Sequence, residues 1–141
     1  MRRASLAQGA LPDLLGYRLR LAQQAVFRDF AASVQGLSPG RVGLLILIDA
    51  NPGVTQSRLA EAVGRDRSTM VGVINLLQAK RLVERRRGDD RRTNGLWLTR
   101  TGRQLLARAL RRIADHERRI AERLSAAERR RLLQLLGKIS G

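Results

Sequence analysis

Cysteine is absent from the 141 residues, which excludes disulfides, thiolate nucleophiles, thiol-based redox sensing and cysteine-ligated zinc. The one histidine, His116, is too few for a multi-histidine metal site. Aromatic residues make up only 3%, which leaves few stacking partners for a phenolic ligand. Lysine occurs only at positions 80 and 138. The longest apolar run, Val42 to Ile48, is far short of the roughly 20 residues that span a bilayer. At the N-terminus, Gln8, Gly9, Pro12 and Asp13 interrupt the apolar stretch that a secretory leader needs. The expectation is a soluble cytoplasmic protein with no membrane partner.

Catalytic patterns are equally scarce. There is no Ser/His/Asp order, no pair of carboxylates in an apolar setting, no phosphate-cradling glycine loop and no metal-ligand cluster. No catalytic residue, metal or cofactor is therefore assigned, and an enzyme is not expected.

What the chain does have is arginine. Lysine plus arginine number 28 against 12 acidic residues, a net charge of +16. Arginine neutralises phosphate through a planar fork of donors, and such a surplus favours a polyanionic partner. The surplus is dense over residues 65–103, which hold eleven basic residues against four acidic ones. With 43% hydrophobic residues the chain can also bury a core of one domain's size.

Apolar periodicity predicts a mainly α fold with a small β-hairpin (α+β). Leu14, Leu15, Leu19, Ala22, Val26 and Phe30 mark a long first helix from Pro12 to near Gly36. Ser38 and Pro39 form a cap and first-position pair for a buried second helix, stopped by Asn51, Pro52 and Gly53. Thr55 caps a third helix carrying Leu59, Ala62 and Val63 inward; Gly64 permits a tight turn, and Asp66 caps a fourth. In that fourth helix Met70, Val73, Ile74 and Leu77 form a buried stripe, opposite Arg67, Ser68, Val71, Gly72 and Asn75. Two helices joined by a glycine turn, the second with a small and polar outer face, meet the requirement of a helix-turn-helix.

A hairpin follows, with strands Leu82 to Arg87 and Leu96 to Leu98 and a loop from Gly88 to Gly95. Thr99 caps a long fifth helix running through Leu105, Leu106, Ala109, Leu110, Ile113 and Ile120 to Leu124. Ser125 and Glu128 match a capping box for a last helix with Leu132, Leu133, Leu135 and Leu136. The first and last two helices carry more apolar surface than a small winged core can cover, which points to a homodimer.

Three stretches carry a family resemblance. They are Leu37-Ser38 with Val54 to Ala60, then Asp66 to Val71 running on to Leu77 and Leu82-Val83, and lastly Asp90-Arg91-Arg92 followed by Leu98-Thr99 and Gly102. On these the chain resembles the MarR family of winged helix-turn-helix regulators over almost its entire length. The resemblance implies a winged helix-turn-helix lobe at 38–100 and a helical dimerisation region formed by 11–36 and 101–139. It also implies a sequence-specific transcriptional regulator of double-stranded DNA, in most cases a repressor released by a small aromatic or phenolic effector. The rival reading is an architectural protein that coats DNA with weak sequence preference and no effector.

The residues assigned to DNA on this basis are Arg67, Ser68, Thr69, Val71, Gly72 and Asn75 on the recognition helix, with Arg86, Arg87, Arg91 and Arg92 in the wing. By resemblance Arg92 enters the minor groove, and Asp90 fixes the wing tip rather than meeting DNA. Gly72 departs from the family pattern, where a longer polar residue is common. Ser68 and Thr69 either read DNA or merely support the helix start. Arg85, Arg86, Arg87 and Arg91 are phosphate contacts or simply a solvated face, and Trp97 either flanks DNA or packs on arginine stems. By resemblance Tyr17 and His116 approach the effector cleft, but a lone histidine on an amphipathic helix is read as a hydrogen-bonded structural residue. The arginines from Arg118 to Arg131 are read as a solvated face balanced by Asp115, Glu117, Glu122 and Glu128.

Overall fold

A computed structural model describes residues 5–88 and 94–141. Among these, six helices and three short strands follow in the order α1 (Leu15–Ser33), α2 (Pro39–Ala50), β1 (Val54–Thr55), α3 (Gln56–Val63), α4 (Arg67–Ala79), β2 (Val83–Arg87), β3 (Asn94–Leu98), α5 (Arg100–Ile120) and α6 (Ala126–Ser140). Contacts divide the chain into one unit of Met1–Ser33 with Asp115–Gly141 and another of Val34–Ala114. Helix α5 is covalently part of both.

In the unit of Val34–Ala114, the expected caps form. Ser38 accepts from the Arg41 amide, Thr55 from the Arg58 amide and Asp66 from the Thr69 amide. Each satisfies one of the amides that a helix start leaves without a partner. Gly64 ends α3 in the left-handed region at φ +64°, where a Cβ would be strained, and Ala62 and Val63, expected inward, are exposed because Leu59 and Ala60 form the buried side of this helix. The core joins Leu45 and Ile48 of α2, Leu59 of α3, Met70, Ile74 and Leu77 of α4, and Val83 and Leu96 of the hairpin, all fully buried. Each contributes about 1.5–3 kcal/mol relative to exposure.

The sheet has one strand more than the sequence pattern announces. Its order is β1-β3-β2, all antiparallel, with Val54 opposite Leu96 and Val83 opposite Leu98. Two-residue β1 is too short to show alternation, and it becomes a strand only because β3 lies beside it. The hairpin loop is also shorter than expected. Asn94 and Gly95 belong to β3, where Gly95 pairs with both Thr55 and Arg86. Gly95 is there because of space: a Cβ would lie 2.7 Å from both the Gly53 carbonyl and the Trp97 ring.

Helix α5 is anchored where the chain leaves the hairpin. Thr99 Oγ1 accepts from the Gly102 amide at 2.9 Å and donates to the Arg81 carbonyl at 2.6 Å. A Cβ on Gly102 would come within 2.0 Å of the Leu82 carbonyl oxygen, so the backbones approach as closely as glycine alone permits.

In the unit of Met1–Ser33 with Asp115–Gly141, three helix boundaries differ from expectation. Pro12 opens a separate 3-10 turn, Leu11–Asp13, because Leu14 is extended (ψ 121°), and α1 starts only at Leu15. The same helix stops at Ser33, before Gly36, whose φ is +83°. Helix α5 ends at Ile120, leaving Leu124 in the turn before α6. The capping box of α6 forms in full, Glu128 N donating to Ser125 Oγ at 3.1 Å and Ser125 N to Glu128 Oε2 at 2.7 Å. Along α6, Leu132, Leu135, Leu136 and Ile139 share one face at helical spacing and are all exposed. Among the described residues no helix is long and apolar enough to cross a membrane.

Candidate nucleic-acid interface

Helix α4 is held by opposite faces of different chemistry. Met70, Ile74 and Leu77 are completely buried, Val73 of the expected stripe is only half-buried, and Arg67, Ser68, Thr69, Val71, Gly72 and Asn75 are exposed. The six residues of α4 assigned to DNA are therefore all accessible, with Gly72 leaving open space around its Cα.

At the start of α4, Asp66 gathers three donors. The Thr69 amide lies 2.7 Å from Oδ1, the Ser68 hydroxyl 2.7 Å from the same oxygen, and the Thr69 hydroxyl 2.9 Å from Oδ2. These bonds, the Thr69 amide first, hold the Asp66 carboxyl down at about 2, against the ordinary 3.8. The hydroxyl protons of Ser68 and Thr69 are thereby committed to the cap. What those two side chains offer outward is oxygen lone pairs, so as donors they are spent.

The hairpin carries its charge unevenly. Arg86 lies over the Trp97 ring, 5.3 Å from its centroid, and pairs with Glu84. Trp97 in turn covers Gly53 and Gly95, so the indole packs on backbone and on an arginine stem. That stacked arginine is the second of the two roles open to Trp97. Arg87 is exposed at the end of β2, opposite Asn94. Asp90, Arg91 and Arg92 lie outside the described residues.

Arg85 points elsewhere. Strand alternation puts it on the same side as Val83, facing the helices, and its Nη2 donates to Gln56 Oε1 of α3 and Asn75 Oδ1 of α4, each at 3.0 Å. It is exposed and at the same time bonded to both helices. The period-two alternation of β2 contained that information, since residues 83 and 85 share a face.

Over nearly its whole length the chain is similar to known regulators. It is 40% identical over 140 residues to a protein of Thauera aromatica assigned as a transcriptional regulator for the hcr operon, covering 96% of this chain and 84% of that one. The MarR family model matches residues 35–93. The chain belongs to the MarR family. Its fold also matches the transcriptional repressor CouR bound to a 23-mer DNA duplex, with a TM-score of 0.92 and 39% identity over 98% of this chain and 100% of that one. CouR bound to p-coumaroyl-CoA gives a TM-score of 0.88 and 38% identity over 96% of this chain and 98% of that one. This MarR-family chain is thus a winged-helix transcriptional regulator and not an enzyme, as the sequence motifs implied.

The unit of Val34–Ala114 also contains a cleft of about 280 Å³. Its walls are apolar at Val34, Leu37, Leu105 and Ala109 and cationic at Arg108 and Arg112. That combination accommodates a flat or aliphatic group together with an anion.

Proposed function

We propose that this MarR-family regulator is a repressor that binds a pseudo-palindromic DNA operator as a homodimer in the cytoplasm and releases it when a small-molecule effector binds. The observation that carries this reading is the surface of α4: a rigid, capped helix whose exposed side holds Arg67, Val71, Gly72 and Asn75 over a completely buried Met70–Ile74–Leu77 stripe. Small and polar side chains on a fixed helix suit the reading of base edges, where a coating protein needs only charge.

In this reading the lobe at 38–100 meets DNA, with the recognition helix in the major groove and Arg86, Arg87, Arg91 and Arg92 along the wing. Ser68 and Thr69 hold the helix start and accept from DNA rather than donate to it, and Asp90 sets the wing tip. Residues 11–36 and 101–139 hold the dimer. The exposed stripe Leu132, Leu135, Leu136 and Ile139 on α6 supports that assignment, because contiguous apolar surface of this kind is covered in stable proteins.

The effector is an anionic aromatic acyl compound of the p-coumaroyl-CoA type. The likeness to CouR bound to that thioester supports this class, and so do the apolar walls of the cleft beside Arg108 and Arg112.

The test is selection of bound duplexes from a random pool at near-physiological salt. An inverted repeat with half-sites about one helical turn apart, bound about 10³-fold or more tighter than scrambled DNA, is the expected outcome. Equal, salt-sensitive binding to every duplex would replace this reading with the architectural one.

A further inference from the structure

The Arg85 guanidinium fixes which way two amides face. A guanidinium has donors only, so the atoms of Gln56 and Asn75 that meet Arg85 Nη2 must be their oxygens. The amide nitrogens, each with two N–H donors, consequently face away from Arg85. One nitrogen serves both bonds, which ties the start of α3, the exposed side of α4 and strand β2 at a single point. The bonds are charge-assisted, and the planar fork holds its directions better than an ammonium could.

Asparagine reads adenine by accepting from N6 with its carbonyl oxygen while donating to N7. With a guanidinium 3.0 Å from Oδ1, one lone pair of that oxygen is occupied and a positive charge stands against the adenine amino group. The same charge polarises the Asn75 amide and makes Nδ2–H a better donor. We propose that Arg85 is a specificity-determining positioning residue, which fixes Asn75 as a hydrogen-bond donor and so selects a base presenting acceptors in the major groove, guanine or thymine, over bidentate reading of adenine. The inference rests on the placement of α4 in the major groove proposed above.

The experiment compares bound-sequence profiles of the full-length protein with those of Asn75→Ala, Arg85→Ala, Arg85→Lys and the double variant Asn75→Ala/Arg85→Ala. Asn75→Ala identifies the base step that residue 75 reads. Arg85→Ala is expected to lower the guanine or thymine preference at that same step by about 3–10-fold and to raise adenine there, and the double variant is expected to match Asn75→Ala alone, with the adenine gain lost. Arg85→Lys, keeping the charge but not the fork, shifts the same preference while leaving the salt dependence of binding unchanged. If instead Arg85→Ala weakens all sequences equally and lowers the salt slope by about one, Arg85 is a phosphate contact and the positioning role is overturned, with base reading by Asn75 intact. A profile unchanged by Asn75→Ala would overturn base reading at residue 75, and this inference with it.

Discussion

His116 Nδ1 lies 2.7 Å from Asp29 Oδ1, and the imidazole, 2% exposed, stands edge-on to Phe30 with ring centroids 5.4 Å apart. Arg119, one turn along α5, grips the same carboxylate with Nε 3.0 Å from Oδ2 and Nη2 2.9 Å from Oδ1. Ser33 Oγ donates to the Asp29 carbonyl at 2.7 Å and also meets the Arg119 guanidinium. One carboxylate thus joins α1 to the far end of α5 through a planar cation and a buried ring. The single histidine is the hydrogen-bonded structural residue that its isolation implied.

Removing that ring should cost packing as well as a hydrogen bond. His116→Ala is expected to lower stability by about 1–3 kcal/mol, read from denaturant unfolding at fixed protein concentration, since a dimer's midpoint depends on concentration. An unchanged midpoint would mean that the ring contributes nothing net.

The acid range should separate the two capped carboxylates from ordinary ones. Hydrogen bonds from Arg119, then from His116, hold the Asp29 carboxyl well below the usual carboxylate range, and its contact raises Arg119 in return. A carboxylate depressed on folding stabilises the protein above its unfolded value and loses that contribution only as pH falls through the folded one. Arg119→Ala should therefore be less stable than the native protein near neutrality, with the gap closing as pH falls below about 4. The Asp66 cap behaves likewise, with its carboxyl at about 2, so Asp66→Ala loses most above the ordinary carboxylate value. Thermal midpoints between neutral and strongly acid solution check both; a gap that widens toward acid would contradict the pairing.

Gly102 tests the junction between hairpin and α5. A methyl group there would meet the Leu82 carbonyl oxygen at 2.0 Å, and a backbone atom cannot step aside as a side chain can. Gly102→Ala should destabilise by about 1–3 kcal/mol or more, whereas an alanine in an open helical position would stabilise. A urea midpoint equal to the native one would show that α5 shifts freely.

Gly72 supplies that contrasting case. No atom lies within 4 Å of a Cβ built at Gly72, so Gly72→Ala should stabilise α4 by about 0.5–1 kcal/mol. If α4 lies in the major groove, the same change alters operator preference. Gly72→Arg enlarges that effect, and an unchanged bound-sequence profile in both variants would place position 72 away from the bases.

Much of this was legible in the sequence because it is local. Caps at Ser38, Thr55, Asp66, Thr99 and Ser125 depend on a side chain reaching an amide two or three residues on, and all five form. The buried stripe of α4 depends on helical spacing, which the chain displays openly. Gly102 was readable only as part of a family pattern; the close approach to Leu82 that explains it appears with the coordinates. The expected start of α1 at Pro12 failed because nothing local marks Leu14 as extended.

Contacts between elements distant in sequence were hidden. Arg85 lies 29 residues from Gln56 and 10 from Asn75, and Arg119 lies 90 residues from Asp29. Both stood in arginine-rich stretches where one guanidinium looks like the next. Alternation in β2 told which side of the strand Arg85 takes, but not what waits there.

By itself, then, the sequence determined the order of the six helices and the hairpin, the caps, most of the buried stripe of α4, the excess of positive charge over the helix-turn-helix and wing, and the family. Tertiary structure alone decided that Val54 and Thr55 become a strand, that Trp97 lies across two glycines, which arginines are committed to Asn75 and Asp29, and that Ser68 and Thr69 spend their protons on Asp66. The physical reason is range. Helix periodicity and capping are set by neighbours within about four residues, whereas the partner of a long cationic side chain is set by which backbone the fold brings within about 3 Å of its tip.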